Sequence, residues 1–205
     1  MIKKFNILLF SLFFISTYSY AGAWIEPLIG YKASYGEVTF SNYGSASGDY
    51  KFTHTGPQYG LKLGYEFPIA FVAGIDYRMS SGARKQRLGP TTIFNTVDVD
   101  QTSLAGFITF TTLPLLNFWA HYFFNVETEE TSGNSIGSKA SGNGIGFGAG
   151  FTGLPFVSLN VEYNMLTFNE TVLNGVTLSL PTNIQSEIDV YELVFSVSLP
   201  IDFLF

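Results

Sequence analysis

Few residues in this chain could carry acid–base, nucleophilic or metal chemistry. Among 205 residues there are two histidines, His54 and His121, and no cysteine. His54 lies in KFTHTG, with Thr53, Thr55 and Asp49 nearby, and no serine–carboxylate arrangement at the spacing a nucleophile and its base require. His121 lies between aromatics in NFWAHYFF, far along the chain from His54. Asp98 and Asp100 could approach a divalent ion, but two carboxylates fall short of a calcium site. GNGIGFGAG matches a G-x-G-x-x-A pattern at Gly144, Gly146 and Ala149. A dinucleotide loop, however, needs a strand before it and a helix after it. Arg84, Lys85 and Arg87 cluster in SGARKQRLG, where they form either a phosphate-binding loop or a solvated one. These residues predict no catalytic site, no metal and no cofactor.

The elements that must position these residues begin after an N-terminal leader. Lys3 and Lys4 open the chain, Ile7 to Ile15 is apolar but for Ser11, and residues 16–23 turn small and polar. This is the layout of a secretory signal peptide, residues 1–23, with cleavage after Ala21 or Ala23. Residues 24–205 then form one domain. Without Lys3 and Lys4 it has 8 basic residues against 16 acidic ones, so nucleic acid is not expected as a partner. No run after the leader is long enough for a spanning helix. Even so, the chain is 46% hydrophobic and holds 21 Phe and 21 Gly. The apolar residues must be distributed in some other way.

Four phrases recur, EFPIAF, TLPLLNF, GLPFVS and SLPIDF, with Pro68, Pro114, Pro155 and Pro200 spaced 46, 41 and 45 residues apart. Proline lacks a backbone donor, so within a sheet it belongs at turns and edges. Each phrase sits between two alternating segments, and each repeat unit is a hairpin. Eight strands follow, beginning with WIEPLIGYKASYGEV, QYGLKLGYEF and AFVAGIDYRMS and ending with VYELVFSVSLPIDFLF. QTSLAGFITF, the fourth, is ambiguous in phase. In the fifth, Phe118, Ala120, Tyr122, Phe124 and Val126 share a face opposite Trp119, His121 and Phe123. In GIGFGAGF the glycines at 144, 146, 148 and 150 leave room for Trp119, Phe123 or Leu166. Between the hairpins lie long stretches rich in Gly, Ser, Thr and Asn, which predict solvated loops.

One face of nearly every strand is Phe, Tyr, Leu, Ile and Val. The other is mostly Gly, Ser and Asn with isolated charges, too sparse in charge for the solvated face of a soluble barrel. The pattern predicts an all-β, closed, eight-stranded antiparallel transmembrane β-barrel, with short periplasmic turns, four long extracellular loops and its apolar face toward lipid. The closing alternation of Tyr191, Leu193, Phe195, Val197 and Leu199, continued by Phe203 and the terminal Phe205, resembles the C-terminal signature of small outer-membrane barrels of the OmpA/OmpX type. The resemblance implies a bacterial outer-membrane location and recognition of this end by the barrel-assembly machinery. It further implies a monomer among outer-membrane lipids and lipopolysaccharide. Pro200 interrupts that strand and predicts a bulge or an early strand end near Leu199.

In such a barrel Lys32, Lys62, Asp76, Arg78, Glu162 and Glu192 all point inward, at similar depth from the proline-marked rim. Isolated charges there would be costly, whereas a paired set is tolerable. They are therefore expected to form a lumen network in which Lys32, Lys62 and Arg78 face Asp76, Glu162 and Glu192. The function this implies is structural or surface-interacting. A small pore and a lipopolysaccharide-modifying enzyme are the alternatives.

Overall fold

The computed structural model describes residues 21–40, 49–68, 71–88, 92–113, 115–133, 136–173, 176–180 and 185–204. Residues 1–20 of the expected signal segment and Phe205 lie outside these, as does Pro114, while Gly22 and Ala23 begin the first strand. The strands are β1 (Gly22–Phe40), β2 (Asp49–Phe67), β3 (Phe71–Leu88), β4 (Thr92–Leu113), β5 (Leu116–Glu130), β6 (Lys139–Leu154), β7 (Val157–Leu173), β8 (Val176–Ser179), β9 (Gln185–Ser198) and β10 (Ile201–Leu204). Each of β1 to β7 pairs antiparallel with the next. β9 lies between β7 and β1 and closes the ring. β10 continues β9 along the start of β1, while β8 pairs with the far part of β7. The result is a closed barrel of eight staves, and closure leaves none of them with a free edge along its main span.

The period-two reading holds for facing. Ile29, Tyr31, Tyr59, Leu61, Ile75, Tyr77, Phe147, Leu159, Tyr163, Leu193 and Phe195 are exposed on the outer surface. The ambiguous fourth strand turns Leu104 and Ile108 outward and Gln101, Ser103, Ala105, Phe107 and Thr109 inward. The fifth departs from expectation. A bulge between Phe123 and Val126 shifts the phase, so Phe124 stays outside while Val126 turns into the interior, fully buried. The extra residue re-aims every side chain beyond it.

The long connections also differ from expectation. Much of the sequence read as four long loops continues the hairpins, with pairs as far out as Thr39 with Asp49, Leu88 with Thr92, and Glu129 with Lys139. Tertiary pairing overrides the weak strand preference of Gly and Ser once a neighbouring strand supplies the hydrogen bonds, so composition alone misplaced the boundary.

At Pro200 the strand ends early and resumes. β9 stops at Ser198 and β10 starts at Ile201. Pro27 of β1 faces this gap, and its carbonyl accepts the Leu199 N–H at 3.0 Å. Two residues that cannot donate thus fall at one level of the seam.

Candidate functional site

The inward faces of the strands converge on a stack of charged and apolar layers. Nearest the proline-marked rim, Trp24, Val72 and Phe107 pack together. Beside them, Trp24 Nε1 donates to Glu26 at 3.2 Å, and Ser198 Oγ donates to the other Glu26 oxygen at 2.5 Å. Asn160 and Ser158 extend this chain, with Asn160 Nδ2 donating to Ser198 Oγ at 2.8 Å.

The middle layer is built around Arg78, which is almost wholly buried. Nε and Nη2 donate to Asp76, with the shortest contact 2.6 Å, and Nη1 and Nη2 donate to Glu162 at 2.5 and 2.9 Å. Glu162 also accepts from Trp119 Nε1 at 2.9 Å. Between the two carboxylates lies His121, whose Nε2 is 3.1 Å from Asp76 and whose Nδ1 is 3.4 Å from Glu162. A guanidinium fork gripping two carboxylates is the strong, directional form of an ion pair.

Lys32 lies toward the far end, with Nζ 3.2 Å from Glu192. Gln101 Nε2 donates to the same Glu192 oxygen at 3.0 Å. Next to this pair is a cavity of about 10 Å³, lined among others by Gln58, Arg78, Phe123 and Asn164 and large enough for about one water. Beyond it, Ala105, Phe123, Val126, Leu166, Phe168 and Val190 form an apolar core inside the barrel, with Phe52 and Ile188 packed against it.

All six residues expected in the lumen network are inward and buried, and each has an oppositely charged neighbour. One pairing differs. Lys62 faces Glu26, 3.6 Å away, and its ammonium lies 4.3 Å over the Trp119 ring. Glu192 belongs to Lys32. A count from the rim treats residues on different strands as level, but Lys32 pairs across the sheet with Gly56, six positions from Lys62. The missing residue, Glu26, had a readable signal: it shares the phase of Lys32 on β1.

The glycines of β6 serve the same interior. A Cβ on Gly148 would strike the Trp119 indole, one on Gly146 would come within 3.2 Å of Phe123, and one on Gly144 within 2.8 Å of Leu166. The space is occupied by the three side chains expected to intrude.

The basic cluster is not a loop and does not converge. Arg84, Lys85 and Arg87 are on β3, so alternation separates them. Arg84 turns inward, pairs with Glu130 and lies 5.6 Å from the Phe52 ring centroid. Lys85 and Arg87 are exposed on the outer surface. There Arg87 is opposite Lys51, which pairs with Glu37 at 3.4 Å. His54, read as a loop residue, is instead buried on β2, where its carbonyl accepts from Ser34 Oγ at 3.2 Å. Of the C-terminal residues, Tyr191, Leu193, Phe195 and Phe203 are exposed on the outer surface.

No protein-family model and no curated protein sequence matches the chain. Its fold does match solved structures. The outer membrane protein AlkL, determined in DMPC lipid bilayers, is 14% identical with a TM-score of 0.54, over 89% of this chain and 91% of that one. The outer membrane protein OprG from Pseudomonas aeruginosa is 10% identical with a TM-score of 0.50, over 89% and 97%. The Neisserial surface protein A, NspA, is 16% identical with a TM-score of 0.48, over 88% and 99%. At such identities the likeness is one of fold: a small antiparallel barrel of the kind found in outer membranes.

Proposed function

We propose that this chain is an integral outer-membrane barrel with a sealed interior, whose role is structural and carried by its surfaces. The supporting observation is the Arg78 bridge to Asp76 and Glu162, set between an apolar layer at each end of the lumen. An ion crossing the barrel would have to break paired charges and then pass Phe123, Val126 and Leu166. Leaving one buried partner uncompensated costs about 3–5 kcal/mol, so the paired state acts as a plug. The outer surface supports the membrane assignment. Its middle is a belt of Leu, Ile, Val and Tyr, whereas Lys85 falls in the cross-strand row of Tyr35 and Thr53, and Lys51 and Arg87 lie two residues further toward the far end.

These three outward cations suit the phosphates of lipopolysaccharide. Lys51 and Arg87 stand directly opposite one another, and Glu37, 3.4 Å from Lys51, offsets part of that like-charge cost, which a phosphate between the two cations would offset further. Among the described residues no Ser–His arrangement supports a catalytic reading.

Planar-bilayer recording tests the proposal. The refolded barrel should give no steady single-channel conductance, and a stable ohmic current would overturn the sealed lumen. Lipid A from an overexpressing strain should have an unchanged mass profile; a new lipid A species dependent on the barrel would make it an enzyme.

A further inference from the structure

Two tight turns at the proline-marked rim hold a bulky residue in left-handed backbone. Leu115 has φ 70° between the paired residues Leu113 and Leu116, and Phe156 has φ 67° between Leu154 and Val157. Glycine adopts this backbone freely. For any residue with a Cβ it is unfavourable. Side-chain packing does little to offset it, since Phe156 is 88% exposed and Leu115 is 55% exposed. Thr152 N–H donates to the Leu115 carbonyl at 2.9 Å, which ties the first turn to the neighbouring strand.

The surroundings of both turns are apolar. Leu113, Leu116, Phe118, Phe151 and Leu154 are exposed beside them. Residues 101–126 and 140–161 contain no Lys, Arg, Asp or Glu. The rest of the same rim carries charge: Glu66 is half-buried beside the β2–β3 turn, and Asp202 is exposed on β10.

We infer that the turns at 113–116 and 154–157 are lipid wedges, seated in the headgroup–acyl boundary of the phospholipid leaflet. The barrel therefore rides deeper along β4–β7 than along β1–β3. A turn in water has no use for an aromatic in unfavourable backbone, whereas a bilayer interface favours one, and the absence of charge lets the flanking rim follow. This rests on the membrane reading above.

The chain contains no cysteine, so single nitroxide labels can be placed on Phe156→Cys, Leu115→Cys, Glu66→Cys and Ile75→Cys. Each barrel is reconstituted in phosphatidylethanolamine/phosphatidylglycerol vesicles, its folding checked by heat-modifiable mobility. Collision with oxygen, which concentrates in lipid, is compared with collision with a water-soluble nickel chelate. Labels at 156 and 115 should favour oxygen several-fold more than the label at 66, approaching the mid-barrel label at 75. Nickel access at 156 and 115 equal to that at 66, with 75 still in lipid, would overturn the wedges and point to water or a periplasmic protein as their neighbour. Nickel access at 75 as well would overturn the membrane reading itself, and the wedges with it.

Discussion

Arg78 on β3 holds both oxygens of Glu162 on β7, at 2.5 and 2.9 Å, from the opposite wall of the barrel. Three strands separate these two whichever way the ring is followed, so the contact is a strut across the lumen. Replacing Arg78 by Met should leave Asp76 and Glu162 facing each other and destabilise the barrel by about 3–5 kcal/mol. Urea unfolding in bilayers checks the loss, and intermittent conductance absent from the parent checks the plug.

Lys62 should be coupled to Glu26 and not to Glu192. A double-mutant cycle of Lys62→Met with Glu26→Gln is expected to give an interaction energy of about 0.5–3 kcal/mol. The cycle with Glu192→Gln should be additive within about 0.5 kcal/mol. Coupling to Glu192 as large as that to Glu26 would contradict the pairing.

Leu61 and Leu159, both exposed on the belt, should tolerate arginine poorly, at about 2–4 kcal/mol each near the membrane midplane. Gly148→Ala should fail for the opposite reason. Its added methyl meets the Trp119 ring, an overpacking that costs about 1–3 kcal/mol. Refolding titrations in vesicles measure both. Equal stability of Leu61→Arg and the parent would put the wrong face outward.

Lys85→Ala with Arg87→Ala should weaken retention of phosphorylated lipid A while leaving thermal stability in detergent nearly unchanged. Native mass spectrometry of the barrel with bound lipid A, and with its dephosphorylated form as the comparison, reads this directly. Equal retention of the two lipids by the parent would remove the phosphate contact.

Deleting Phe205 should lower the amount of heat-modifiable barrel in the outer membrane while export across the inner membrane continues, since the signal segment expected at residues 1–23 is untouched. Fractionation and gel mobility give both quantities. Unchanged surface assembly would count against the C-terminal end as an assembly signal.

The barrel was legible in the sequence because a period of two places each side chain on one face or the other without knowledge of its neighbours. That is why Lys32, Arg78 and Glu162 could be assigned to the interior from one strand at a time. Two kinds of fact were not local in this way. The bulge before Val126 depends on how β4 and β6 pair with β5, and nothing in FFNVE marks it. The partner of Lys62 depends on the slant between strands, which is a property of closure. Loop lengths failed for a related reason: the Arg84–Lys85–Gln86 stretch becomes strand only where another strand meets it.

The gap at Pro27 and Pro200 divides the closing seam into two zippers. Four residue pairs lie on one side, Gly22 to Ile25 with Ile201 to Leu204, and a longer run starts at Leu28 and Ser198 on the other. Between them the Leu199 N–H to Pro27 carbonyl bond and the Ser198 Oγ to Glu26 side-chain bond carry the connection. The short zipper can therefore open and shut while the long one stays fastened, which leaves the last strand's tip as a detachable tab. Such a tab can be held by another sheet edge without the barrel having to unroll.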